Sequence, residues 1–169
     1  MKGTIQRIMS IEKVRAFFKA AGIDNRIKEF STSSATVALA ADALQCDPCR
    51  IAKTLSFSTG RSPVLIVCAG DTRIDNARFK AEFGVKAKML KPEETENLIG
   101  HTIGGICPFA VNSGVIIYLD KSLKRFDTVF PACGSSNSAI ELTIPELEKY
   151  SSIQKWIDVC KGWRPEENA

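Results

Sequence analysis

Ile51-Ala52-Lys53-Thr54-Leu55-Ser56-Phe57-Ser58, then Gly60-Arg61-Ser62-Pro63, then Val64-Leu65-Ile66-Val67-Cys68-Ala69, is the stretch that decides the fold class. Residues 53–58 alternate well enough for a strand, the Gly/Pro segment reads as a turn, and residues 64–69 are a buried strand. Together they make a hairpin with Lys53 at the start of its first strand. Outward from it, further short strands are expected at 27–31, 85–90, 115–119, 128–131 and 139–142. Helices alternate with them. The first is capped by Ser10, carries Ile11, Val14, Phe17, Phe18 and Ala21 on one face, and stops at Gly22. Others are expected at 36–44, 71–83 and from Pro92 to Gly100, with short turns at 48–50 and 122–125. Thr143 and Glu146 match a capping box for a helix through Tyr150, and Ser152 is read as the cap of a last helix carrying Ile153, Trp156, Ile157 and Cys160. Strands that follow one another through short turns argue a mixed sheet within an α+β fold, not a parallel doubly wound one. Residues 1–169 read as a single domain, with 162–169 as a frayed tail.

Composition excludes several classes. Hydrophobic residues make up 44% and charged ones 25%, an ordinary balance for a chain with a full core. No apolar run approaches the roughly 20 residues that cross a bilayer. No signal-like segment opens the chain, which points to a cytoplasmic protein with reduced thiols. The net charge of +4 is compatible with a nucleic-acid partner without pointing to one. Lys86, Lys88 and Lys91 form a small cluster with no aromatic interleaving, which disfavours a plain nucleic-acid binder. The dinucleotide, P-loop and nucleophile-elbow motifs are absent.

The six cysteines include one CxxC, Cys46 and Cys49, with no second pair, and the chain has one histidine, His101. That is a poor basis for a metal or redox centre. Cys107 as a nucleophile would need a base, and only His101 is available, so a small apolar filler is the preferred reading of Cys107.

Three segments remain. Lys53 brings a charge into an apolar strand; an edge lysine with its head in water and a lysine holding an anion are equally good readings of the residue alone. Gly104 and Gly105, in Gly104-Gly105-Ile106-Cys107-Pro108-Phe109, are either a tight turn or a backbone cradle for an oxygen that gains charge. The run Gly134-Ser135-Ser136-Asn137-Ser138 is either a plain loop or a pocket wall of hydroxyls. Ser34 and Thr36 read first as helix caps, and Phe30 as core.

In order and spacing, the IxKTL pattern around Lys53, the Gly-Gly-x-x-Pro of Gly104 to Pro108, and the Gly134 segment leading into Ile140-Glu141-Leu142 resemble the YbaK/EbsC family, free-standing relatives of the editing domain of prolyl-tRNA synthetases. The resemblance spans about residues 11–150. It implies a curved mixed sheet, partly closed into a barrel and surrounded by helices. It implies a metal-independent aminoacyl-tRNA deacylase without cofactor, serving translation fidelity on tRNA-Pro charged with a small amino acid of Cys or Ala type, with a prolyl-tRNA synthetase as a further partner. Carried over to this chain, Lys53, Gly104 and Gly105 would be catalytic, and Phe30, Thr54, Pro108, Gly134, Ser135, Ser136 and Ser138 would meet the substrate. The cysteinyl-tRNA branch has an aspartate directly before the Ile-Glu-Leu; here that position is Ala139. The other class of function is a non-catalytic module that binds a tRNA acceptor end or a synthetase.

Overall fold

The computed structural model describes residues 2–167, with side chains from Ser10 onward. In chain order the elements are α1 (Lys2–Ala20), β1 (Ile27–Glu29), α2 (Val37–Leu44), β2 (Ile51–Ser58), β3 (Pro63–Ala69), β4 (Arg73–Ile74), α3 (Asn76–Phe83), α4 (Pro92–Ile99), β5 (Ile116–Asp120), β6 (Thr128–Pro131), β7 (Ser138–Ile140), β8 (Leu142–Thr143), α5 (Ile144–Ser151), β9 (Lys155–Ile157) and β10 (Cys160–Lys161).

The expected hairpin is the centre of the molecule: β2 and β3 pair antiparallel from Ala52–Ala69 to Ser58–Pro63. The main sheet runs β8-β6-β2-β3-β5-β9. β6 joins β2, β5 joins β3 and β9 joins β5 in parallel, whereas β8 joins β6 antiparallel, so the sheet is mixed. β1 pairs with β7, which a bridge between Ala132 and Ala139 ties to the end of β6. The sheet curls into a half barrel with helices around it.

The unbroken apolar run of β3 follows from its central place. Leu65, Val67 and Ala69 enter one core cluster, and Val64, Ile66 and Cys68 enter another on the opposite face. Both faces are buried, so no alternation is needed. Lys53 stands opposite Cys68 in the ladder, which places it on an otherwise apolar face. α1 packs Val14 and Phe18 into the first cluster, where Phe18 meets Phe109 edge to face at 4.8 Å between ring centroids. That contact anchors the segment following the glycine pair. Among the described residues no helix is long and apolar enough to cross a membrane.

Four local expectations are corrected. Ser10 is not a cap: α1 begins at Lys2, and Ser10 lies buried inside it with its hydroxyl on His101. The helix expected over 71–83 is a turn, then β4, then α3, because Asp75 caps there by accepting the N–H groups of Ala77 and Arg78. Segment 85–90 is reduced to a single bridge, Phe57 with Met89. The last helix is absent. Ser152 closes α5 in the left-handed region, and β9 pairs with β5, sending Trp156 to one core cluster and Ile157 to the other. Near the C-terminal end, Arg164 pairs with Asp158 at 2.6 Å and with Glu167 at 3.3 Å. Residues 168 and 169 lie outside the described part.

Candidate active site

β6 accompanies β2 only through Ile51 and Ala52. Further along, segment 88–90 pairs with β2, Ser58 donating to the Lys88 carbonyl and Leu90 to the Ser56 carbonyl. Between these two partners, at residues 53–55, a cavity of about 250 Å³ opens. Its walls are β2 from Ile51 to Leu55, the entry to α2 with Ser34, Ala35, Thr36, Val37 and Ala40, the glycine loop at Gly104 and Ile106, and Phe130, Ala132, Ser138 and Ala139 on the far side.

Of the residues expected at the site, Lys53, Thr54, Gly104 and Ser138 line this cavity. Lys53 is half-buried, and its ammonium donates to the Thr72 carbonyl. It is the only charged side chain in the lining. The Thr54 hydroxyl oxygen is buried without a hydrogen-bond partner. Such a group is costly to leave unpaired, and its oxygen is closed off from the cavity space in this conformation. Ser138 shares a hydrogen bond of 2.6 Å with Ser135.

The two glycines differ. Gly104 faces the cavity with φ +92°, and a side chain there would meet Ala35 and Ser136 at 3.3 and 3.4 Å. Gly105 does not line the cavity. Its N–H donates to the Thr102 carbonyl at 3.1 Å, and a Cβ on it would lie 2.5 Å from the Ser135 nitrogen. Gly105 is a glycine so that two backbones can touch, and its N–H is already taken.

Phe30, Pro108, Gly134, Ser135 and Ser136 stand outside the lining. Phe30 acts through its backbone. It donates to the Asn137 carbonyl at 2.8 Å and accepts from the Asn137 amide at 2.9 Å, while the Ser34 N–H donates to the Ser136 carbonyl at 2.6 Å. These bonds fasten the strap before α2 to the 134–138 loop, and so bring two walls together. Thr36 does cap α2, accepting from the Leu39 N–H at 3.2 Å. Among the lining residues that sequence reasoning did not place at the site, Ser34 and Thr36 were read as caps and the rest are apolar, among them Val37, Ala40, Ile51, Ile106, Phe130 and Ala132. Phe130 is held from behind by the Arg50 guanidinium, 4.9 Å from its ring centroid, which is itself fixed by Glu141 at 2.9 Å.

Cys107 and His101 lie behind the glycine loop. Both are buried. His101 Nε2 is 2.7 Å from the Phe109 carbonyl and 3.5 Å from the Cys107 sulfur, and its Nδ1 is 2.6 Å from the Ser10 hydroxyl. A carbonyl only accepts, so Nε2 carries the proton and Nδ1 accepts from Ser10. Burial holds the imidazole pKa down at about 4 and pushes the Cys107 thiol up to about 12. At neutral pH this is a neutral ring beside a protonated thiol, not an activated nucleophile. Cys46 and Cys49 are half-buried free thiols, and no three His, Cys, Asp or Glu side chains among the described residues cluster as metal ligands. A wider, open groove of about 680 Å³ between Lys124, Phe126, Trp156 and α5 shares no residue with the Lys53 cavity and carries no comparable glycine loop.

Comparison with known proteins bears on the whole cavity. Residues 32–150 match the family model of the aminoacyl-tRNA editing domain, a span that includes every lining residue. The uncharacterized protein YwhH of Bacillus subtilis (strain 168) is 53% identical over 156 residues, covering 92% of this chain and 99% of that protein. The proline–tRNA ligase of Geobacillus thermodenitrificans (strain NG80-2) is 25% identical over 125 residues, which are 73% of this chain and 22% of the ligase. A crystal structure described as that of a proposed trans-editing enzyme for prolyl-tRNA synthetase superposes with a TM-score of 0.79 at 26% identity, covering 90% of this chain and 98% of the other. By its fold, the walls of its cavity and the match across all of them, the chain belongs to the aminoacyl-tRNA editing domain family.

Proposed function

We propose that this protein hydrolyses, in trans, the ester bond of an aminoacyl-tRNA charged with the wrong, small amino acid, with tRNA-Pro carrying Cys or Ala as the first candidates. The observation that carries this reading is a small cavity lined by one cation, Lys53, and one glycine, Gly104. Its 250 Å³ lies below the roughly 300–1,000 Å³ of sites for drug-sized ligands, which suits a small aminoacyl group and not a large side chain. Such a size limit is what a second, editing site needs.

An aminoacyl ester is already activated, so placement contributes more than a strong nucleophile. Water adds to the ester carbonyl, the tetrahedral intermediate expels the ribose oxygen, and the proton released by the water goes to that oxygen. The backbone at Gly104 receives the carbonyl oxygen as it gains charge. Lys53 holds the terminal phosphate or ribose, or orients the water, and Thr54, which lines the cavity beside it, meets the substrate. The reaction calls on no metal or organic cofactor, the setting is cytoplasmic, and a prolyl-tRNA synthetase is the natural partner as the source of the error.

One observation favours a second reading, a non-catalytic module for a tRNA acceptor end or a synthetase: no lining residue is a carboxylate, an imidazole or a thiol that could take a proton. A panel of mischarged tRNAs separates the two. Catalytic loss of the aminoacyl group supports the enzyme, whereas binding without hydrolysis supports the module.

A further inference from the structure

We infer that the turn at 69–72 is a positioning element for Lys53, and that the Thr72 side chain sets it. The inference rests on Lys53 being the working residue of the proposed reaction. The Lys53 ammonium donates to the Thr72 carbonyl, a backbone group whose direction depends on the turn that carries it. That turn is over-determined. The Thr72 N–H and hydroxyl both donate to the Ala69 carbonyl, at 3.1 and 2.6 Å, and Thr72 is only 5% exposed. The Ala69 N–H donates to the buried Ser122 hydroxyl at 3.1 Å. Asp71 takes both arms of the Arg125 guanidinium, at 2.6 and 2.9 Å.

Gly70 completes the arrangement. A Cβ there would stand 2.1 Å from the Pro48 carbonyl oxygen and 2.8 Å from Val37, a lining residue, so the turn presses on the cavity wall as well as on the lysine. A long, flexible side chain placed beside a cavity loses its alignment unless something outside the cavity holds it. The turn takes one of the three ammonium protons, which leaves the others for the substrate or its water.

Thr72→Val keeps the shape and removes the hydroxyl, and Thr72→Ser keeps the hydroxyl. Two readouts separate this inference from the reading on which it rests. One is the single-turnover deacylation rate with its apparent KM. The other, independent of activity, is the rate at which an amine-acylating reagent labels Lys53, followed by peptide mass spectrometry against the other lysines. Thr72→Val is expected to lower the chemical step about 10- to 100-fold with little change in KM, as a small misplacement does, and to raise Lys53 labelling alone. Thr72→Ser is expected to restore both. Unchanged labelling in Thr72→Val overturns the inference, and so does raised labelling with an unchanged rate. If the parent chain hydrolyses none of the charged tRNAs, the proposed function fails while labelling still decides whether the turn holds Lys53. If Thr72→Val does not fold, Asp71→Asn weakens the same turn from the surface and is read the same way.

Discussion

The two ends of the 104–109 loop lie in opposite settings. At one end Gly104 faces a cavity with Lys53, Thr54 and Ser138; at the other, Cys107 and Phe109 are sealed against His101 and Ser10. The sealed end holds the serine, histidine and cysteine that a search for a hydrolase would choose first, and the open end holds none of them but serines. Access and solvation decide between them. Without water the imidazole stays neutral and the thiol stays protonated, so the cluster works as a strut from α1 to the loop. For the proposed hydrolysis, the open end would supply a cation held by the Thr72 carbonyl and an approach to the backbone at Gly104.

Breaking the open end should give the largest effect. Lys53→Ala is expected to lower single-turnover deacylation by about 100-fold or more, on the scale of losing one transition-state donor. Its melting curve should stay close to the parent's, because the half-buried ammonium leaves the apolar clusters intact. Rapid hydrolysis by this variant would move the chemistry elsewhere.

The glycines sharpen the contrast within one loop. Gly104→Ala should impair the chemical step at a positive φ beside the cavity, with modest loss of stability. Gly105→Ala should instead lower stability by about 1–3 kcal/mol of overpacking, and the melting temperature with it, since its Cβ meets backbone that cannot step aside. Calorimetry beside kinetics on the pair tests this. Equal losses of stability would erase the distinction.

The sealed end should report through pH. His101 is the one histidine, and its folded pKa of about 4 lies below the ordinary value of 6.5. The unfolded chain therefore binds a proton that the folded one refuses, and stability falls as pH drops from about 6.5 towards 4. The full loss is on the order of 3 kcal/mol. Urea titrations across this range should show the slope in the parent and a flatter one in His101→Gln. The smallest effect is expected from Cys107→Ala, with activity unchanged and a stability loss of about 1 kcal/mol from the small void.

Much of this was legible where signals are local. The hairpin and the Thr143–Glu146 capping box each sit within a few residues of sequence, the lysine and glycine motifs are each short although some fifty residues apart, and the structure places Lys53 and Gly104 on one cavity. What escaped depends on distant partners. Ile153 to Cys160 carries a helix-like spacing, yet β5 takes residues 155–157 as a strand and β4 takes Cys160 into another. Ser10 looks like a cap until His101 takes its hydroxyl from 91 residues away. The apolar lining, Val37 and Phe130 among it, is written like core, because a wall facing a ligand and a wall facing another side chain use the same residues. The two roles of Gly104 and Gly105 cannot be told apart in sequence, since both demand the absence of a side chain. The carbonyl of Thr72 has no residue type to betray it.

The most direct test is hydrolysis of tRNA-Pro charged with Ala, Cys or Pro, followed side by side for the parent chain, Lys53→Ala and Cys107→Ala. The account predicts that the parent and Cys107→Ala release a small non-cognate residue and spare the prolyl ester, while Lys53→Ala releases neither. Release that survives in Lys53→Ala but is lost in Cys107→Ala would place the chemistry at the sealed end of the loop and contradict it.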